Sequence, residues 1–131
     1  MTPQIRMFND DDFLMVAKWC AGHRRSCLLR ELLPRLGVIT ELDGEPATAV
    51  WLRMDNSSPV CWLDCAVSRP GLRPRHVARA LLCAADFLAS EAKRLGFSVM
   101  MATTLPQLAR YLRKAGWSTH QEALDNLFVT L

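Results

Sequence analysis

The stretch from Val60 to Leu95 constrains the fold more than any other part of the chain. Val60 to Val67 is an apolar run of strand length, interrupted by a single acid, Asp64. Pro70 and Gly71 break it. From Pro74 to Leu95 the period becomes helical, with Val77, Leu81, Leu82, Ala85, Leu88 and Ala92 on one face. Pro74 suits a first helical turn, and Gly96 suits a helix end. A buried strand feeding a long amphipathic helix must lay that helix back across a sheet, which predicts an α/β architecture.

The flanking segments extend this reading. Ile5 to Phe8 is a candidate first strand. Asn9-Asp-Asp-Asp is a helix-start signal with acids at the positive end of the dipole, followed by helical spacing to about Trp19. Arg24 to Leu36 is predicted as a second helix, stopped by Pro34 and Gly37. Val38 to Leu42 and Ala47 to Met54 form a predicted hairpin around Asp43-Gly44. Phe97 to Ala102 is a short strand and Leu105 to Ala115 a helix. Trp117 to Glu122 and Leu127 to Leu131 are predicted as two last strands. The order β-α-α-β-β-β-α-β-α-β-β predicts a mixed sheet of about six to seven strands flanked by about four helices. A single domain over 1–131 suits the length.

Composition narrows the function classes. Half the residues are hydrophobic and 22% are charged, the balance of a globular protein. No apolar run reaches the roughly 20 residues of a membrane span, and the N-terminus lacks a signal-peptide pattern, so the expectation is a cytoplasmic protein. The five cysteines are odd in number and form no CxxC pair, which favours reduced thiols. Cys20, His23 and Cys27, with His120 or another cysteine as a fourth, could supply zinc ligands, but the spacing fits no standard zinc pattern. The formal net charge of +3 is too weak to imply nucleic acid. Its distribution is more informative: Arg69, Arg73, Arg75, His76 and Arg79 crowd one strand-to-helix connection.

Val67-Ser-Arg-Pro-Gly-Leu-Arg-Pro-Arg-His-Val-Ala-Arg-Ala-Leu-Leu82 resembles the cofactor loop of the GNAT superfamily of N-acetyltransferases. In that family a strand exits into Arg/Gln-x-x-Gly-x-Gly/Ala, which opens a long helix. Arg73, Val77, Ala78, Ala80, Leu81 and Leu82 match, and Leu112-Arg-Lys-Ala-Gly-Trp117 resembles the Tyr-x-x-x-Gly-Phe helix end. The element order resembles the family over the whole chain, the motifs only over residues 60 to 117. Three positions depart from the pattern: His76 replaces the first motif glycine, Leu112 the tyrosine, and Leu105 an asparagine.

The resemblance implies acetyl-CoA as cosubstrate, an amine as acceptor and a homodimer such as relatives often form; no membrane partner is expected, and nucleic-acid binding through the arginine cluster, which lacks interleaved aromatics, ranks last. A helix N-terminus offers free N–H groups and a positive dipole end to a pyrophosphate. Cofactor contacts are therefore expected from Ala66, Val67, Arg73, Arg75, His76, Val77, Ala78 and Arg79, with the strand Cys61 to Val67 pairing along the pantetheine arm. Transfer to an amine needs a base and often an acid for the leaving thiolate. Asp64 is the first base candidate: on strand alternation it lies between Trp62 and Ala66 on one face, in apolar surroundings that disfavour its charge. Glu41 is the second. Tyr111 is the candidate acid, one residue and about 100° from the family position. The competing expectation is a GNAT-fold protein that has lost catalysis and serves in binding or structure, for example in a virus particle.

Overall fold

The computed structural model describes residues 2–25, 29–123, 125, 127 and 129–131. Five strands form one sheet in sequence order: β1 (Pro3–Met7), β2 (Leu36–Leu42), β3 (Glu45–Met54), β4 (Val60–Ser68) and β5 (Val99–Ala102). The first three junctions are antiparallel and β4 pairs parallel with β5, so the sheet is mixed as expected. Three α-helices accompany it: α1 (Phe13–Gly22), α2 (Pro74–Arg94) and α3 (Pro106–Lys114).

Local chemistry sets most element ends. Asn9 accepts from the Asp11 amide while Asp12 reaches back to the Asn9 amide, a capping box that starts the first helical turn. Asp43 and Gly44 both have positive φ, 51° and 80°, the geometry of a tight type I′ hairpin turn. The stop after α1 is less ordinary. Arg24 takes φ 55°, its amide bonds Ala21 O and the Arg25 amide bonds Cys20 O. This is a Schellman closure with arginine where glycine is usual.

The two faces of the sheet are covered by different helices. Val16, Trp19 and Cys20 of α1 pack on Ile39, Ala49, Trp51 and Val67 of the sheet. Trp51 is 1% exposed, packs edge-on against Phe8, and lies on its cross-strand partner Gly37, where a Cβ would collide with the indole. Ala84, Leu88 and Ala92 of α2 pack on Val38, Val50, Leu52 and Cys61 of the other face. Alanines at 80, 84, 85 and 92 let the long helix sit close, and Leu88 fills the gap between them. Burying that leucine contributes about 2 kcal/mol.

Three expectations need correction. No helix runs from Arg24 to Leu36: Leu29 and Leu33 are extended and only Arg30–Leu32 makes a 3-10 turn, residues 26–28 lying outside the described set. The Schellman closure ends the preceding helix, and Leu29 and Leu32 stay exposed, so their helical spacing has no face to bury. The described residues of the two last predicted strands make no ladder; Leu124, Asn126 and Phe128 lie outside the described set. Apolar alternation without a paired neighbour does not make a strand. The described sheet thus has five strands rather than six or seven, and three α-helices rather than four. Among the described residues no helix is long and apolar enough to cross a membrane.

Candidate active site

The site is built around the far half of β4. Its last partner pair with β5 is Leu63 with Ala102, yet β4 runs on to Ser68. From Asp64 onward, the side of β4 away from β3 therefore has no strand partner among the described residues. A bulge accompanies this change. Across β3, Trp51 pairs with Asp64 and Ala49 with Val67, so Cys65 and Ala66 together oppose Val50. Cys65 takes φ 58° there.

The bulge corrects the expected strand faces. Cys65 and Val67 pack on the α1 face, whereas Leu63 and Ala66 pack on the α2 face. Trp62 and Asp64 alternate with Cys61 and Leu63 and point to the α1 face. Asp64 and Ala66 are therefore on opposite faces. Nor is Asp64 in apolar surroundings. Its side chain is 40% exposed, Arg53 Nε donates to Oδ2 at 2.6 Å, and the Cys65 amide donates to Oδ1 at 2.8 Å. Arg53 is held above its usual pKa chiefly by that carboxylate. The Cys65 thiol is pushed up by burial first and by Asp64 second, which disfavours a thiolate nucleophile.

Past the bulge, backbone direction alternates. The Arg69 amide donates to Ala47 O at 2.8 Å, so residues 67 and 69 turn their backbone to β3. Val67 spends its polar groups on that ladder and buries its side chain. Ala66 and Ser68 present theirs to the open side. Both carbonyls are engaged by the end of α1: Arg25 donates to Ala66 O at 3.0 Å, and His23 Nε2 lies 2.8 Å from Ser68 O. A carbonyl only accepts, so this contact places the imidazole proton on Nε2. Gly22 allows the approach, since a Cβ there would come within 2.6 Å of Pro70 Cγ.

The connection to α2 gathers the basic residues. Arg73 is the N-cap and Pro74 the first helical residue. The His76 and Val77 amides fold back onto Arg73 O, and the Arg75 amide has no protein acceptor among the described residues. Arg69, Arg73, Arg75 and Arg79 form no ion pair among the described residues, and the last three are exposed. His76 and Val77 are half-buried, and Ala78 is buried toward the sheet. An open groove of about 670 Å³ lies on the other side of Arg53, lined by Pro34, Arg35, Arg53, Met54, Asp55 and Trp62 among others.

No protein-family model matches the chain, and no curated protein sequence does. Solved structures do. A transcriptional regulator from Bacillus halodurans C-125 superposes with TM-score 0.67 at 15% identity over 97% of this chain and 100% of its own. A ribosomal-protein-alanine N-acetyltransferase from Brucella melitensis biovar Abortus 2308 gives 0.66 at 17% identity over 98% and 100%. N-acetylglutamate synthase from Neisseria gonorrhoeae, complexed with coenzyme A and N-acetyl-glutamate, gives 0.68 at 18% identity over 93% of this chain and 30% of its own. The chain has the fold of the GNAT N-acetyltransferases.

Within this GNAT fold the remaining candidates separate. Leu112 is buried at 7% exposure, which fixes the rotation of α3 and leaves Tyr111 half-buried beside it. Tyr111 makes no hydrogen bond to Asp64. Leu105 caps α3 through its backbone only and is exposed. Glu41 accepts from Arg6 at 3.3 Å and belongs to a structural ion-pair cluster. Of the weighed zinc set, Cys20 is buried in the core, His23 is bonded to Ser68 and Cys27 lies outside the described residues. Sequence reading gave no site role to Arg53, Ser68 or Arg25, and weighed His23 only as a metal ligand. Arg53 was recoverable from hairpin register, but nothing in the spacing around His23 points to β4.

Proposed function

We propose that the protein binds acetyl-CoA and transfers the acetyl group to an amine. One observation carries this reading. Among the described residues, a strand edge without a strand partner runs, past a bulge, into a helix N-terminus whose arginines form no ion pair. Acetyl-CoA has the matching layout: an amide-bearing arm that can add to a strand edge, joined to a pyrophosphate that suits free N–H groups and arginine. Arg73, Arg75 and Arg79, with the Arg75 amide, hold the phosphates. His76, Val77 and Ala78 form the turn beneath them, with an imidazole where a bare backbone is usual. Ala66 and Ser68 take the arm.

Asp64 is the base in this reading, and its geometry states what that requires. Each carboxylate oxygen already accepts one hydrogen bond, so proton acceptance from the amine falls to a remaining lone pair beside Arg53 or the Cys65 amide. Arg53 both lines the open groove and bonds Asp64, so the groove is the entry assigned to the acceptor amine in this reading. Tyr111 is assigned the proton for the leaving thiolate.

A thermal-shift titration tests the reading. Acetyl-CoA at 100 times its Kd stabilises a folded protein by about 2.7 kcal/mol. Wild type is expected to show a rise in Tm that Arg73→Ala largely loses. No shift at millimolar acetyl-CoA overturns the proposal. Amine acetylation that disappears in Asp64→Asn separates turnover from binding alone.

A further inference from the structure

The end of α1 reaches across to the part of β4 that an extended ligand would use. Three contacts fasten it there. Gly22 abuts Pro70, His23 Nε2 bonds Ser68 O at 2.8 Å, and Arg25 bonds Ala66 O at 3.0 Å. The two carbonyls are two residues apart on one side of an extended strand, so they point the same way. They are also the acceptors that any amide chain laid along this side of β4 must bond. The two donors come from one Schellman closure, whose central residue, Arg24, sits at φ 55°. An αL arginine is an unfavoured conformation, held here by the contacts on either side of it.

We propose that His23 and Arg25 form a side-chain latch over the Ala66 and Ser68 carbonyls, which the pantetheine arm of the cosubstrate displaces on binding. This rests on the acetyl-CoA reading above. The latch satisfies two carbonyls that β5 does not cover, and the ligand must first break both bonds. Affinity for a ligand with the amide arm is therefore lowered by the worth of the latch. Affinity for a phosphate-bearing fragment without the arm is not.

Calorimetric titration of wild type and the double variant His23→Ala/Arg25→Ala decides the matter, with CoA and adenosine 3′,5′-bisphosphate as probes. Net hydrogen-bond worths predict that the double variant binds CoA about tenfold more tightly, and each single variant about threefold. The bisphosphate is expected to bind both proteins alike, or the variant slightly less tightly because one positive charge is gone. CoA affinity that is unchanged or weaker in the variants overturns the latch and leaves the cosubstrate reading standing. Equal tightening of both probes also overturns it, since the arm would then be irrelevant. If neither protein binds CoA, the cosubstrate reading fails and takes the latch with it. Unliganded melting curves check that the variants fold, and the single variants decide the question if the double variant does not.

Discussion

Arginines at the two ends of the sheet are used differently. At the β1 end, Arg6 bonds both oxygens of Asp12 at 2.8 Å and reaches Glu41 at 3.3 Å. Asp12 is 9% exposed, caps the first helical turn and ties β1 to α1. At the β4 end, Arg69, Arg73, Arg75 and Arg79 face no carboxylate among the described residues. The first group spends its charge on holding elements together. The second leaves its charge unspent on any ion pair among the described residues. Charge of one residue type thus divides into structural and available portions, and only partner geometry tells them apart.

The contrast makes graded predictions. Asp12→Ala is expected to cost about 2 kcal/mol, because it removes a cap and leaves the half-buried Arg6 guanidinium with only its longer Glu41 contact. Acid should reach the same place. Arg6, before any other influence, holds the Asp12 carboxyl below its ordinary value of 3.8. The folded state therefore binds fewer protons than the unfolded chain. The stabilisation is complete above about pH 3.8 and is lost as pH falls through the lower folded value. Asp12→Asn should flatten that acid limb, as read by denaturant midpoints from pH 7 downward. Glu41→Gln, removing the weaker partner, is expected to cost about 0.5 kcal/mol. Arg73→Ala and Arg75→Ala should change stability by under about 0.5 kcal/mol while weakening CoA binding about tenfold each. A destabilisation of these two that matches Asp12→Ala would erase the distinction between the ends.

What the sequence revealed follows the range of the interactions involved. The turn at Asp43-Gly44, the long helix from Pro74 and the basic loop before it are set by neighbouring residues, and all three are found where their residues imply. The segment from Arg24 to Leu36 has helical spacing too, but nothing packs over Leu29 and Leu32 to reward it. The bulge left no local signal, because Cys65 takes a left-handed conformation without being glycine or asparagine. That one backbone feature turned Ala66 away from the face of Asp64, while the regular pairing just before it set Asp64 beside Arg53. The environment of the proposed base was therefore a tertiary outcome, decided by register with β3. The same holds for His23 and Arg25, which lie more than forty residues from the carbonyls they cover.

The bulge also carries a consequence for how this sheet can change length. Residues before and after Cys65 keep the alternation of a regular strand if that residue is left out: Asp64 to the α1 face, Ala66 to the α2 face, Val67 back to the α1 face. Cys65 is thus a spacer that the core does not need for its facing pattern. Losing one codon would zip β4 evenly against β3, keep every buried neighbour on its side, and remove the kink beside the open side of the strand. A chain one residue shorter would keep the same interior pattern and draw the open-side carbonyls of Ala66 and Ser68 one residue nearer to Asp64.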